Sequence, residues 1–467
     1  MPFLPPDVSE EMLEADFWIR KMEDPDRLLA SNTEITFMEK KTAEKMAELG
    51  LAGEYTLPED FKVEMTAAGI KELMESYSLP DCLPDHELYS ADGEKYSQAW
   101  QDNLIKESNL GPLTADKQRV EGRPALTIRR LSIRAFPTKQ AAVKDPEAID
   151  ADRFQLTAIQ AGSPVMIWHQ SLSGSWSYIQ SQIYSGWVLT EYLAVADDLE
   201  MIIDYWNQAE RLVVTGSRTE TEPNPFFPGI SNIFLQLGDS LPLYEREAIP
   251  EEIPAGAKNG QSPLGCHAVK VPLALGARVD KPGRLEFAPA LLPFSQPVQI
   301  GFNNFTRRNL IGAAFKCLGE RYGWGGLFQR RDCSRLVFDI YRQAGLTLPR
   351  DAGRPQEEGA AGQTFYFRGN RAQRLSQLKE LEPGDPLYLP GHVMIYLGQA
   401  NKPGTDEAGH YVIHSGSGYG RLVAGEIKPL TVHSTFVMEL DTYLQNKRKT
   451  YLEALTLARK FRADLDG

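Results

Sequence analysis

The stretch that decides the fold is Tyr322-Gly-Trp-Gly-Gly-Leu-Phe-Gln-Arg-Arg-Asp-Cys-Ser334, in which a glycine-rich loop leads into a cysteine. Apolar residues then recur at three- and four-residue spacing, which predicts a helix from Cys333 to a stop at Gly345. Asp332 fits the N-cap of this helix. The helix dipole and the free N–H groups of a first turn favour a thiolate, so Cys333 is a candidate nucleophile.

Two alternating, strand-like stretches downstream carry histidines. The first begins with His392 and the second ends near His414. A cysteine nucleophile needs a histidine base and a third group that orients this base. We therefore predict that His392 is the base for Cys333 and that His414 orients it, and we rank His410 and His433 below His414.

The order of these blocks resembles the NlpC-type cell-wall cysteine peptidases, which have a small papain-like α+β fold. Together with His414, four blocks carry the resemblance: Tyr322-Gly-Trp-Gly-Gly326, Asp332-Cys-Ser334, Leu381-Glu-Pro-Gly-Asp385 and His392-Val-Met-Ile-Tyr-Leu-Gly398. The peptidase domain is expected over residues 297–467. Arg335 stands where the family commonly has glycine, and it either narrows the site, contacts an acidic substrate group or faces solvent.

The resemblance implies the hydrolysis of an amide through a thioester. The bond would be the γ-D-glutamyl–L-diamino acid bond of peptidoglycan stem peptides, in peptides with a free N-terminal L-alanine. The Tyr322 hydroxyl and the Cys333 backbone N–H would stabilise the oxyanion. Asp332 would face the α-amine of the substrate, and Ser334 would face its D-glutamate carboxylate.

The resemblance also implies that an SH3 domain ahead of the peptidase contributes a tyrosine to the amine pocket. Tyr184 is the candidate for this role, with Tyr178 as the alternative. Trp324, in the glycine-rich loop, is a further candidate substrate contact. A buried ammonium needs a carboxylate and hydrogen-bond acceptors, so capped peptides would be excluded.

The rest of the chain predicts a multidomain protein. Residues 1–115 have helical periodicity with irregular breaks and are interpreted as a packing or lid element. Residues 116–198 contain short strands with turn signals between them and resemble a bacterial SH3 domain. Residues 199–296 predict a second SH3-like small β-barrel, and the proline-rich stretch 288–297 is interpreted as the linker into the peptidase domain.

Composition and sequence pattern limit the classes of partner, cofactor and cellular location that are expected. The net charge of −13 argues against a nucleic-acid partner. The four cysteines show no zinc-binding spacing, so neither a metal nor a cofactor is expected. No apolar run reaches the roughly 18 residues that span a membrane. The N-terminus lacks signal-peptide features, so a cytoplasmic location stays open. The family resemblance instead favours a location in the cell envelope, either periplasmic or secreted. The oligomeric state is not indicated.

Three other functions stay open at this point. The same fold could carry an N-acetylmuramoyl-L-alanine amidase or a general wall lysin, which would cut a different bond. A non-catalytic wall-binding protein would use the SH3-like domains alone, although the intact Cys333, His392 and His414 argue against it. A transglutaminase or acyltransferase would use the same thiol with an amine acceptor in place of water.

Overall fold

The computed structural model describes residues 4–84, 86–253, 260–445 and 447–462, and the chain forms two compact units. The first unit comprises Met1–Leu51, Phe302–Gly323 and Phe328–Gly467. The second unit comprises Ala52–Gly301 and Trp324–Leu327. The chain therefore leaves the first unit at the glycine-rich loop and returns to it before Cys333.

The α-helices of the described residues are short, and most begin at a polar N-cap side chain that accepts a backbone N–H. They are α1 (Ala15–Ile19), α2 (Asn32–Glu48), α3 (Ala67–Met74), α4 (Gln98–Glu107), α5 (Leu199–Trp206), α6 (Arg307–Phe315), α7 (Cys333–Arg342), α8 (Arg371–Leu378) and α9 (Tyr451–Ala454).

The strands fall into two groups, the first sixteen in the second unit and the others in the first unit. They are β1 (Glu64–Thr66), β2 (Arg119–Glu121), β3 (Arg123–Thr127), β4 (Leu131–Arg134), β5 (Gln155–Ile159), β6 (Pro164–Gln170), β7 (Trp176–Ser181), β8 (Ser185–Leu189), β9 (Leu193–Val195), β10 (Arg211–Val214), β11 (Arg218–Glu220), β12 (Phe234–Gln236), β13 (Ser240–Pro242), β14 (Cys266–Leu275), β15 (Gly283–Pro293), β16 (Val298–Ile300), β17 (Gln363–Tyr366), β18 (Pro386–Leu389), β19 (His392–Asn401), β20 (Ala408–Val423), β21 (Glu426–Glu439) and β22 (Leu457–Lys460).

The first unit is built on an antiparallel sheet with the strand order β17-β22-β18-β19-β20-β21. Helix α7 packs against β19 and β20 in the middle of this sheet. The helix is buried along its whole length, and its predicted apolar face is part of the core. Gly345 follows it with φ +89°, a conformation that favours glycine and ends the helix as predicted. The predictions that Cys333 begins a helix and that His392 and His414 lie on strands are confirmed.

The second unit holds a sheet with the strand order β14-β15-β9-β3-β6-β7-β8-β4-β5. Strands β3 to β8 confirm the short strands predicted within residues 116–198. The hairpin β14-β15 comes from the segment expected to form a second barrel, yet it joins the same sheet through a parallel pairing of Gly283 with Ala194. Strands from both predicted SH3-like segments therefore share one sheet, whereas β10, β13 and β16 form a separate three-stranded sheet and β11 and β12 a two-stranded one. The division into two barrels stays a prediction.

The linker expected at residues 288–297 is wrong for its first half, because β15 continues to Pro293. Prolines are tolerated there because β15 pairs with β9 only at Gly283 and Arg284. Beyond those residues β15 pairs with β14 alone among the described strands, so a missing proline N–H can face the open side of the strand.

The N-terminal segment, which was predicted to be helical with irregular breaks, contains α1, α2, α3 and α4. Its first 51 residues belong to the first unit and the residues from Ala52 onward to the second. Trp18 of α1 packs its ring against Tyr411 of β20, with ring centroids 5.2 Å apart. Within the described ranges, no helix is both long and apolar enough to cross a membrane.

Candidate active site

Cys333 is the first residue of α7, and only 8% of it is exposed. Asp332 is the N-cap, and its Oδ1 accepts the backbone N–H of Arg335 at 2.8 Å. The backbone N–H of Val393, one residue after His392, hydrogen-bonds to the Cys333 sulfur. The start of α7 and the start of β19 therefore meet at the thiol.

Burial has the largest effect on the thiol and raises the pKa of Cys333 to about 12, with the negative charge of Asp332 acting in the same direction. The hydrogen bond from Val393 and the charge of Arg350 lower this pKa by less. Burial therefore opposes the thiolate that a helix start favours, and the expectation of a thiolate at this helix start stays a prediction.

The two predicted histidines are in direct contact. His392 Nε2 lies 2.7 Å from His414 Nδ1, and the two rings meet edge to face at 80°. Burial lowers the pKa of His392 to about 4 and holds the pKa of His414 well below its usual value. Burial thus favours a neutral thiol beside two neutral imidazoles.

The hydrogen bond between the rings sets their tautomers. If His392 Nδ1 is to receive a proton, His392 Nε2 carries hydrogen and donates it to His414 Nδ1. The proton of His414 is then on Nε2, a buried atom for which the described residues offer no hydrogen-bond partner. The ring of Phe436 packs on His414 with centroids 4.4 Å apart, so the third member of the set has an apolar surrounding.

The rival histidines lie elsewhere in the first unit. His410 is buried in β20, where its Nδ1 lies 2.7 Å from the Tyr396 hydroxyl. His433 lies in β21 with φ +48°, and its backbone oxygen accepts the N–H of Tyr322 at 2.8 Å. The three candidates for the orienting group were His414, His410 and His433. Of these, His414 is the one whose side chain lies within hydrogen-bond distance of His392.

Tyr322 is held close to the cysteine by its backbone. It forms a parallel bridge with Arg331, and the N–H of Gly323 donates to the Arg331 carbonyl at 2.9 Å. The Ser415 hydroxyl donates to the same carbonyl at 3.0 Å, which ties this segment to β20. The chain just before Cys333 is therefore fixed from both sides, and the oxyanion role of Tyr322 stays a prediction.

Arg350 is a site residue that the sequence interpretation missed. It is 1% exposed, and its guanidinium donates to Asp332 Oδ2 at 2.5 Å and to the Ser334 hydroxyl at 2.7 Å. These are the two residues that flank Cys333. Arg350 lies seventeen positions beyond the cysteine, and no spacing rule links an arginine after a helix to the N-terminus of that helix.

Arg335 is also buried, with 1% exposure, so the solvent-facing interpretation is wrong. Its Nε donates to Asp339 Oδ1 at 2.6 Å, while Arg331 Nε donates to Asp339 Oδ2 at 2.7 Å. Arg331 also reaches Glu320 at 2.6 Å. Buried charges are tolerated when they are paired, and this network fixes α7 to the chain that precedes it.

Three predicted contacts belong to the second unit. Trp324 has the Arg153 guanidinium over its ring at 5.4 Å. Tyr184 is 2% exposed, and its ring lies 5.6 Å from that of Tyr77. Tyr178 is 1% exposed and donates its hydroxyl to the Leu73 carbonyl at 2.8 Å. The substrate roles expected for Trp324 and for the tyrosines stay predictions.

Cys317 is the other buried cysteine, and it is not part of the site around Cys333. It is fully buried beyond the end of α6, where its sulfur lies 3.8 Å from the Ala313 carbonyl, and burial raises its pKa to about 12. It is buried as a small apolar residue.

Comparison with known proteins agrees with this arrangement. Residues 319–419 match the NlpC/P60 family, and residues 141–189 match the SH3 domain family of SH3b1 type. The probable endopeptidase p60 of Listeria seeligeri is 31% identical over 127 residues, which are 25% of this chain and 21% of that protein. The chain thus spans about a fifth of the length of this curated relative.

A solved structure shares the fold. The NlpC/P60 endopeptidase of Photobacterium damselae subsp. piscicida aligns with a TM-score of 0.72 and 16% identity, covering 99% of this chain and 99% of that one. At this identity the likeness concerns the fold. Together with the two family matches, it supports one conclusion: the chain combines an SH3 domain of the SH3b1 type with an NlpC/P60 domain.

Proposed function

We propose that the protein is a cysteine peptidase that hydrolyses the γ-D-glutamyl–L-diamino acid bond of peptidoglycan stem peptides with a free N-terminal L-alanine. The NlpC/P60 match and the likeness to an endopeptidase of Listeria seeligeri support a cell-wall peptidase. The bond and the free amine are inferred from the family resemblance. The substrate also favours the cell envelope as the place of action.

The observation that carries the proposal is the set made by Cys333, His392 and His414. A helix-start thiol receives the N–H of the residue after His392, and His392 in turn lies 2.7 Å from His414. Nucleophile, base and orienting group are the three roles that covalent amide hydrolysis needs.

In the first half of the reaction, His392 Nδ1 takes the proton of the Cys333 thiol as the sulfur attacks the scissile carbonyl carbon. The imidazolium that forms is stabilised by its Nε2–H donating to His414 Nδ1. The tetrahedral oxyanion is met by the Cys333 backbone N–H and the Tyr322 hydroxyl. The C–N bond then breaks as His392 returns the proton to the leaving amine, which leaves a thioester on Cys333.

In the second half, a water molecule gives a proton to His392 and attacks the thioester carbonyl. The second tetrahedral species collapses, the C–S bond breaks, and the thiolate takes the proton back from His392. The free γ-D-glutamyl carboxylate leaves as the second product. Burial favours the neutral forms of both Cys333 and His392 before substrate binds.

The test is mass spectrometry of products from L-Ala-γ-D-Glu-diaminopimelate and from its N-acetylated form. Cys333→Ala removes the nucleophile, and Cys317→Ala is the matched control because it removes a buried thiol away from the histidines. We expect free diaminopimelate from the parent protein and from Cys317→Ala, and none from Cys333→Ala or from the acetylated peptide.

Other outcomes point to other functions. Cleavage of both peptides would keep the peptidase and remove the requirement for a free amine. Cleavage between a muramoyl group and L-alanine in a muropeptide would favour the amidase. The absence of any Cys333-dependent cleavage would contradict the proposal and favour a wall-binding protein.

A further inference from the structure

Strands β20 and β21 form a hairpin that extends beyond the rest of their sheet. Among the described strands, β19 pairs with β20 as far as Ile413, whereas β21 pairs with β20 as far as Val423. The two turn residues, Ala424 and Gly425, have φ values of +51° and +85°, as in a two-residue hairpin turn. All but one of residues 421–428 are exposed, so the end of the hairpin projects into solvent.

The loop that follows β21 lies against this hairpin. Tyr443 forms a bridge with Gly420, whose N–H donates to the Tyr443 carbonyl at 2.8 Å. Further along the loop, the Arg448 guanidinium donates to the Gly425 carbonyl in the turn. The hairpin end and the loop that carries residues 447–449 therefore form one surface of the first unit.

Basic side chains are concentrated on this surface. All five are exposed, and within the described ranges none of them forms an ion pair: Arg421, Lys428, Lys447, Arg448 and Lys449. Arg421 and Lys428 are direct partners in the strand register, so they lie on one face of the hairpin. Glu426 is the acidic residue of the hairpin end. Because the whole chain has a net charge of −13, this cluster is a local reversal of sign.

Two other carboxylates beside the loop already have partners. Asp441 pairs with Arg371, and Glu453 accepts the backbone N–H of Thr450 at 2.9 Å. Both acidic residues line a cavity of about 660 Å³ beside Leu422. They are therefore engaged within the fold, and the five basic side chains face solvent.

Two exposed apolar side chains lie among these charges. Leu422 is 56% exposed and Val423 is 43% exposed. Because successive residues of a strand point to opposite faces, both faces of the hairpin end are apolar next to the turn. Apolar side chains surrounded by basic ones are typical of surfaces that enter the interface of an anionic membrane. A polyanion in solution would use the charges but would gain nothing from Leu422 and Val423.

We propose that this basic hairpin tip, made of Leu422, Val423 and the five basic residues, docks on a membrane surface that contains anionic phospholipid. Leu422 and Val423 enter the boundary between the headgroups and the acyl chains, while the basic side chains contact the lipid phosphates. The inference goes beyond the proposed function and does not depend on it, since docking needs neither Cys333 nor a peptide.

The main test is cosedimentation of the full chain with sucrose-loaded vesicles. One set contains phosphatidylcholine alone, and the other contains phosphatidylcholine and phosphatidylglycerol in equal parts. We expect binding to the mixed vesicles, little binding to phosphatidylcholine alone, and release from the mixed vesicles at high salt, which screens the charges. No binding to the mixed vesicles, or equal binding to both sets, would overturn the inference.

A pair of double variants tests the charges. Lys447→Gln with Lys449→Gln removes two charges of the tip and should lower the partition coefficient about 25-fold, at about fivefold for each basic residue near an anionic surface. Lys40→Gln with Lys41→Gln is the matched control, since both lysines are exposed on α2, outside the tip. Equal losses in the two double variants would overturn the inference, because binding would then follow net charge alone.

A pair of single variants tests the apolar contacts. Leu422→Thr keeps a residue that favours strands and removes apolar surface, so it should lower the partition coefficient about 4- to 12-fold. Phe37→Gln in α2 is the matched control, since Phe37 is also 56% exposed, and it should leave the partition coefficient unchanged. Circular dichroism shows whether each variant keeps its fold, and the lipid and salt dependence of the parent protein gives the same test if one does not.

Competition with dextran sulfate separates a lipid surface from an anionic polymer. We expect the mixed vesicles to retain the protein better than the polymer does at equal charge concentration, because the polymer offers no apolar phase to Leu422 and Val423. Equal affinity for dextran sulfate, together with vesicle binding that Leu422→Thr leaves unchanged, would overturn the inference and favour a polyanion as the partner.

Discussion

Replacing His414 with phenylalanine is expected to slow peptide cleavage and to destabilise the fold, for two separable reasons. The variant keeps the aromatic packing against Phe436 but removes the Nδ1 acceptor that lies 2.7 Å from His392 Nε2. The loss falls on His392, which then has a partly buried donor without its acceptor.

The size of each effect follows from that single hydrogen bond. A buried donor without an acceptor costs about 1–3 kcal/mol of unfolding free energy. During the reaction His392 carries a positive charge, and a hydrogen bond to a charged group contributes about 1.5–3 kcal/mol. At about 1.4 kcal/mol for each factor of ten, kcat/KM falls about 10- to 150-fold. His414→Asn keeps an acceptor oxygen and should recover part of the rate.

His410→Phe is the matched control. His410 lies in the same strand and is 4% exposed, and its side-chain Nδ1 lies 2.7 Å from the Tyr396 hydroxyl. Urea unfolding should give similar losses of stability for the two variants, while peptide cleavage kinetics should show a loss for His414→Phe alone. A kcat/KM for His414→Phe within about twofold of the parent, or equal losses in both variants, would refute the reasoning.

Three further results are expected. The pKa of His392 is lowered from 6.5 to about 4, and the pKa of His414 is also lowered. The stability measured by urea unfolding should therefore fall as pH falls from about 6.5 to 4, by about 3 kcal/mol for His392 alone. A flat profile of stability against pH would contradict this expectation. Gly416→Ala places a Cβ 3.0 Å from His414 Cε1, and this crowding of the imidazole should lower kcat. Gly312→Ala has open space around its Cβ and should leave kcat unchanged. Equal kcat values in the two variants would contradict an effect of crowding at His414. Asp339→Asn removes the carboxylate that the buried Arg331 and Arg335 share, and it should lower the free energy of unfolding in urea by about 3–5 kcal/mol. A loss below about 1 kcal/mol would contradict a buried ionic network.

The sequence predicted the helix at Cys333 and the strands that carry His392 and His414, because their signals are local. Helical and alternating periodicities report which face of a segment is buried, and the N-cap residue reports where a helix begins. The same holds for the short strands between residues 125 and 189. Where the local signal was ambiguous, as in the proline-rich end of β15, the prediction was wrong, because the sequence does not show which side of a strand lacks a partner.

The tertiary structure decided the protonation and the charge pairing of the site. The position of Cys333 at a helix start suggested a thiolate, yet the depth of burial raises its pKa to about 12. The choice of His414 over His410 depends on which side chain of β20 reaches His392. Arg350 acts on the residues beside Cys333 across a chain separation that no local pattern encodes. Local periodicity thus determined the elements and the candidate nucleophile, whereas desolvation and long-range ion pairs, which exist only in the packed chain, decided the chemistry of these groups.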